Sequence, residues 1–492
     1  MDIALSLDPE SPLALYRQIY DGLREGILTG RFEAGSRLPA TRSLAVSLGV
    51  SRITVTECYD RLISEGYLET RQGSGTFVCA RLPETSMYPI SKDENEVTPQ
   101  LQDERVYRLS RYGSTVNLPL LSPVAPNMIR FDLYGTDVAT FPKRLWTRLF
   151  ARRMQEESGN LLRYTQHYGG QPELRIAIAQ YLKQSRAVVC DPNQIVIVSG
   201  SQQAISLAAR ILLDESDYVA MENPGYRLAW RVFSSQGAKI LPIPVDEDGI
   251  QIAQLRKQAD KAPKLVYLTP SHQYPLGVAL SVARRIELLE WARETNTPIL
   301  EDDYDSEFRY GERPLPSIQG MVPDGPVLYT GTFSKLLFPA LRLGYLVVPQ
   351  ALHHAFTTAK LLCDLQSSAL DQQVLADFLL DGHLEPYVRR MRIVYGARRV
   401  LLIDCLRKHF GDKVTIRGDD AGLHFVADFQ SSLSEDDAFE RALQKGVRLE
   451  RVFWTGGAAE KRPGHIQFVF TFAGLKEEEL VLAAQRLADA FC

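Results

Sequence analysis

The sequence is poor in the residues that would cross-link a chain or anchor it. Its six cysteines, at 58, 79, 190, 363, 405 and 492, form no C-x-x-C pair and no cluster with histidine. That scatter excludes a disulfide framework or a local zinc motif and fits thiols kept reduced. No apolar run is long enough to span a bilayer, and the start, MDIALSLDPESPLALY, lacks the basic region of a secretory leader. A cytoplasmic protein is expected. The overall charge is only −4, so no global electrostatic argument favours nucleic acid or membrane. Lysine is missing altogether from residues 1–80, where eight arginines face ten acidic residues, a net −2. Any affinity of that stretch for a polyanion would therefore rest on the placement of single arginines and on pairing of two modules.

What is present reads as more than one domain, since 492 residues exceed one ordinary core. Apolar residues at 15, 19, 20, 23, 27 and 28 recur with helical spacing, and Gly30 closes that helix. SLAVSLG then runs as a short helix into Gly49, and another helix begins after Ser51, a suitable N-cap. Two short helices joined by a glycine turn form a helix-turn-helix, whose second helix enters the major groove. Ser51, Arg52 and Thr54 at its start face DNA, while Ile53, Val55, Tyr59 and Leu62 divide between core and flanking contacts. YLETRQGSGTFV reads as a two-stranded wing tipped by Gly73 and Gly75. The stretch resembles the winged helix-turn-helix of GntR-type regulators, with their LP-[SA]-x-R-x-LA-x-x-LGVSR-x-TV and G-x-G-T-FV patterns. The resemblance implies that Arg42, Ser51, Arg52, Thr54 and Gly73 meet double-stranded DNA.

Residues 81–117 lose periodicity and mix Pro, Glu, Asp, Ser and Gln, the composition of a flexible linker, with a short helix around QDERVYRLS. From 118 to 492 strands alternate with helices, the mark of an α/β layer on a mainly parallel sheet. A helix starts near Pro172, QIVIV makes a buried strand, and SGSQQ turns into the helix AISLAARILL. Gly200, Ser201 and Gln202 sit at that helix N-terminus, whose amides form a ready anion site. DYVAM and KLVYL follow as strands, and PILEDDYDSEFRY as strand and loop. After 351 a long helical region leads to a smaller subdomain with GLHFVADF and HIQFVFTF as strands.

The chain is organised around TGTFSKLLFPALRLGY, residues 330–345. The run PVLYT reads as a buried strand entering a turn of small residues, and Lys335 follows. A lysine becomes a carbonyl nucleophile at neutral pH only if desolvation or a cationic neighbour lowers its pKa. Apolar flanks and Arg342 suit that, and the hydroxyls of Thr332 and Ser334 suit a phosphate. The stretch resembles the S/T-x-S-K…R-x-G segment of fold-type I pyridoxal-phosphate aminotransferases. By that resemblance Lys335 is the lysine that forms the aldimine with pyridoxal phosphate, and the 200–202 turn holds the phosphate. Tyr226 is placed either to stack on the ring or as a turn tyrosine. Asp302, with Asp303 as rival, is placed against the ring nitrogen, and Tyr304 against the phenolic oxygen.

Two departures stand out. The usual N-P-T-G is Tyr274-Pro275-Leu276-Gly277, and Val469 replaces the carboxylate-binding arginine of the final strand, with Arg448, Arg451 or Arg462 as substitutes. His272 reads as structural. EDDYDSEFRY resembles MocR/GabR-type regulators, in which a GntR-type head joins an aminotransferase-like body. Three functions compete: a regulator sensing pyridoxal phosphate or an amine, an aminotransferase with an appended head, and a DNA-binding protein with a dimerising body. The intact head and the lost arginine favour the first, with room for residual half-transamination. The resemblance also implies a homodimer, each body completing the other's site.

Overall fold

The computed structural model describes residues 5, 7–8, 11, 13–71, 73–80, 82, 108–116, 127–132, 135–155, 160–311, 315–323, 325–455 and 463–491. The chain divides into two compact units, Met1–Tyr107 and Arg108–Cys492. Most of the expected linker lies outside the described residues. Its final stretch belongs to the second unit and carries a helix at Arg111–Val116, a few residues later than the expected one.

The first unit is three helices and a hairpin: α1 (Leu15–Leu28), α2 (Thr41–Leu48), α3 (Arg52–Ser64), β1 (Leu68–Arg71) and β2 (Gly75–Val78). The α1 stripe buries Ile19, Tyr20, Leu23 and Ile27, whereas Leu15 and Leu28, at the helix ends, stay exposed. Gly49 ends α2 at φ +67°, the left-handed conformation that glycine adopts without strain. Ser51 caps α3, its hydroxyl accepting the Thr54 N–H at 3.1 Å. Val55, Cys58, Tyr59 and Leu62 then pack into the same core as Leu44 of α2 and Ile19 of α1. Ile53 is 71% exposed, so the set assigned to core and flank divides at that residue. The hairpin pairs Leu68 with Val78 and Arg71 with Gly75, and Gly73 turns at its tip with φ +76°.

In the second unit a short strand, β3 (Ile129–Arg130), precedes a sheet of eight. Its strands are β4 (Ile195–Val198), β5 (Tyr218–Asn223), β6 (Lys239–Asp246), β7 (Gly249–Ile250), β8 (Leu265–Leu268), β9 (Ile299–Asp303), β10 (Val327–Thr332) and β11 (Gly344–Val347). The spatial order is β4-β11-β10-β9-β8-β5-β6-β7. β6-β5-β8-β9-β10 run parallel, while β11 is antiparallel to both β10 and β4. Fully buried β4 and β8 are near-continuous apolar runs, as a sheet covered on both faces requires, whereas β9, equally buried, ends in three acids. The helix Pro172–Arg186 starts with proline at its first turn, as expected.

The smaller subdomain is a four-stranded antiparallel sheet, β12 (Val414–Arg417), β13 (His424–Gln430), β16 (His465–Thr471) and β15 (Glu450–Arg451), in that order. The intervening β14 (Val447–Arg448) pairs with β3. The 27-residue helix Leu384–Phe410 and the helix Glu477–Phe491 send residues such as Leu402, Leu406 and Leu487 into this subdomain's core. Among the described residues no helix is long and apolar enough to cross a membrane.

Candidate functional site

The parallel strands end on one edge of the large sheet, where an α/β fold places its ligands. β9 brings three acids there, and strand alternation sends them to opposite faces. Glu301 accepts the N–H groups of Ile318 and Gln319, each at 3.0 Å. Asp303, on the same face, accepts from Arg186 Nε at 2.6 Å and from the Tyr329 hydroxyl at 2.6 Å. Asp302 points the other way and accepts the Tyr267 hydroxyl at 2.8 Å through Oδ2. Its Oδ1 is buried with no hydrogen-bond partner among the described residues. Burial, with Asp303 and Asp305 adding repulsion, pushes the Asp302 carboxyl up to about 7. A cation brought to Oδ1 would reverse that shift.

Lys335 arrives from the neighbouring strand. β10 ends at Thr332, whose hydroxyl accepts the Ser334 N–H at 3.2 Å and starts the short helix Phe333–Leu336. Burial, helped by the Arg342 charge and opposed by Asp305, brings the Lys335 amine down to about 8. At pH 7 about one such amine in ten is neutral, against fewer than about one in a thousand for an ordinary lysine. The Ser334 hydroxyl is buried without a hydrogen-bond partner among the described residues.

The turn before the helix Ser201–Leu212 lies beside this segment. Gly200 caps it at φ +97°, with the Arg342 guanidinium against its Cα, and Arg342 donates to the Ser199 carbonyl. A Cβ at Gly344 would meet the Gly200 Cα at 2.9 Å and the Gly331 carbonyl at 2.8 Å. Glycine at 344 is what lets the two turns approach. Arg342 itself holds φ +51°, a left-handed conformation unusual for arginine.

The cavity between these elements has about 420 Å³ of space, part of it open to solvent. Ser201, Thr332, Lys335 and Asp302 line it, with Tyr226, Tyr267, Thr269, Tyr274 and Tyr304. Tyr226 accepts from Gln202 Nε2 at 3.0 Å and meets Tyr274 edge to face at 5.5 Å. Tyr304 donates to the His272 carbonyl at 3.0 Å. The sequence reading missed Tyr267 and Thr269, although both sit on or just after the recognised strand KLVYL. Period-2 alternation from Asp302 through the β8–β9 register would have found Tyr267. His272 is fully buried against Asp305, Nδ1 to Oδ2 3.0 Å, and its ring lies 4.7 Å from that of His424.

The arginines proposed as substitutes at Val469 are otherwise engaged. Arg448 pairs with Asp132 at 2.8 Å, Arg451 pairs with Asp436, and Arg462 lies outside the described residues.

In the first unit Arg42 and Arg52 are both exposed, at the first turns of α2 and α3. Ser51 and Thr54 bond each other, hydroxyl to hydroxyl at 2.8 Å, and so define the start of α3. Gly73 is exposed at the wing tip.

Residues 141–487 match the family model for aminotransferase class I and II, and residues 15–78 match that for bacterial regulatory proteins of the gntR family. The chain is 39% identical to the probable rhizopine catabolism regulatory protein MocR of Rhizobium meliloti, over 99% of this chain and 96% of that one. It is 29% identical to the pyridoxine biosynthesis transcriptional regulator PdxR of Corynebacterium glutamicum, over 99% and 98%. Among solved structures it is similar to LysN, the α-aminoadipate aminotransferase of Thermus thermophilus. That structure was determined with N-(5'-phosphopyridoxyl)-L-leucine and matches with TM-score 0.70, 26% identity, and coverage of 78% and 96%. The two family matches fall on the two compact units, and the chain belongs to the MocR-type transcriptional regulators, in which a gntR-family DNA-binding head is joined to an aminotransferase class I and II domain.

Proposed function

We propose that the body of this regulator binds pyridoxal 5'-phosphate covalently through Lys335 and reports its presence, alone or with an amine, to the DNA-binding head. The observation that carries this reading is the pairing, in one cavity, of a desolvated amine with a buried carboxylate oxygen that lacks a partner. A protonated pyridine nitrogen would satisfy Asp302 Oδ1, and Tyr267 on Oδ2 fixes the carboxylate's orientation. A phosphate suits the amides at Gly200–Gln202, the Ser201, Thr332 and Ser334 hydroxyls and the Arg342 guanidinium. Tyr226 and Tyr304 supply the flanking hydroxyls and ring surfaces. When bound, the cofactor supplies an electron sink at the carbon next to a captured amine.

The engagement of Arg448 and Arg451 favours sensing over turnover of amino acids, because neither is left as a bidentate partner for a carboxylate at Val469. We also propose a homodimer in the cytoplasm, with Arg42, Ser51, Arg52, Thr54 and Gly73 at the DNA and two heads reading two half-sites.

Changing Asp302 to alanine is expected to weaken cofactor retention by about ten- to a hundredfold, the worth of a hydrogen bond to a charged group. Equilibrium dialysis of the full-length variant, followed at the cofactor's visible absorbance, checks this. Wild-type retention by the variant would move the ring-nitrogen role away from Asp302.

The sensing reading is tested with the cofactor-free full-length chain and a duplex selected by that chain from random DNA. Titrating pyridoxal phosphate should change the duplex affinity by roughly 5- to 150-fold, the usual span of an allosteric coupling. A cofactor that binds both head arrangements equally shifts nothing, however tight it is. Unchanged DNA affinity with cofactor, followed by a sharp response to one amino acid, would defeat cofactor alone, or with an amine lacking a held carboxylate, as the signal.

A further inference from the structure

The register of the small sheet shows what stands in place of the missing arginine. Val469 of β16 lies directly opposite Val426 of β13 on one side and Glu450 of β15 on the other. Directly opposed residues project from the same face of a sheet, and Val452, two residues beyond Glu450, continues that alternation. Val426, Val452 and Val469 are buried together with Tyr274 and pack against Tyr226, Tyr304 and Trp454. Three of those tyrosines are walls of the Lys335 cavity. The sheet face that would present an arginine to a carboxylate therefore presents valines, aromatic rings and one carboxylate.

That carboxylate is not consumed within the protein. Among the described residues the Glu450 side chain makes no hydrogen bond or ion pair. Arg448, two residues earlier, is held by Asp132 at 2.8 Å. The Arg227 guanidinium acts on Glu450 only from beyond ion-pair distance, and burial outweighs it, holding the carboxyl up at about 7. The Glu450 charge in turn helps to raise the hydroxyls of Tyr226 and Tyr274. Among the described residues no cation pairs directly with Glu450.

We propose that Glu450 sets the specificity of the site and selects an amine whose far end carries a second cation, a diamine in class, over one ending in a carboxylate. One amine engages the cofactor at Lys335 and the other meets Glu450, while the valines and rings cover the apolar chain between them. The inference rests on the reading that this cavity holds pyridoxal phosphate.

The test uses the full-length chain loaded with pyridoxal phosphate and calorimetric titration with 1,5-diaminopentane, pentylamine and 5-aminopentanoate. These probes share one amine and one chain length and differ only at the far end. The diamine should bind about tenfold or more tightly than pentylamine, as a charge-assisted hydrogen bond allows, and the amino acid most weakly. Glu450→Gln should erase the diamine's advantage while leaving pentylamine affinity unchanged, which also shows that the variant is folded. With a normal cofactor absorbance, equal binding of the three probes, binding of none, or an unchanged preference in Glu450→Gln overturns the role of Glu450 alone. So does preference for 5-aminopentanoate, and its loss in Arg227→Gln would identify Arg227 as a carboxylate clamp. Absence of the cofactor absorbance in wild type, or its persistence in Lys335→Ala, overturns the underlying reading and this inference with it.

Discussion

Lys335→Ala is expected to abolish the visible absorbance of lysine-bound cofactor while leaving the chain folded. The two outcomes separate because the amine contributes chemistry and little packing. Lys335 is only partly buried, and burial already works against its charged form. Removing a desolvated cation relieves a cost of its own, so the stability change should stay within about 1 kcal/mol. The covalent link has no substitute, since no other lysine lines the cavity among the described residues. Borohydride reduction followed by mass measurement decides the matter. A reducible adduct in the alanine variant would place the link on another residue.

How far this site was legible in the sequence depends on how local each signal is. Lys335 and Arg342 lie in one continuous segment, so their pattern could be read directly. Asp302 was preferred with Asp303 as rival, because the face each takes on β9 is not local: the Arg186–Asp303 bond spans 117 residues. The same limit hid the engagement of Arg448, because Asp132 belongs to a loop more than 300 residues away in the chain. The strands PVLYT, KLVYL and QIVIV were plain as apolar runs. Their order was not, and neither was the antiparallel β11, since a buried strand looks alike in either direction. His424, whose ring stacks beside Tyr304 at 6.3 Å, carried no sequence signal at all inside GLHFVADF.

The second large effect is expected in the head. Arg52→Ala should cost roughly 1–3 kcal/mol of binding to a selected duplex if the side chain reads a base edge. The exposure of Arg52 at the first turn of α3, just after the Ser51 cap, motivates this. Arg42→Ala should behave differently, weakening selected and random duplexes alike and lowering the log–log salt slope by about 0.9, the loss of one phosphate contact. The contrast matters more than either number, because the head has no surplus of positive charge to mask a lost contact. Binding of both variants measured across a salt series gives the answer. Equal, small effects on both duplexes would remove these arginines from the groove.

Arg342 joins the two halves of this molecule's chemistry in an unexpected way. An arginine at φ +51° carries strain on the order of 1 kcal/mol that glycine would not feel. The strained residue is also the one whose guanidinium rests on Gly200 and bonds the Ser199 carbonyl. Backbone strain and this contact thus pull in opposite directions at one backbone position. Arg342→Gly would relieve the backbone strain and, in the same step, remove the guanidinium that bonds a carbonyl 143 residues away in the chain.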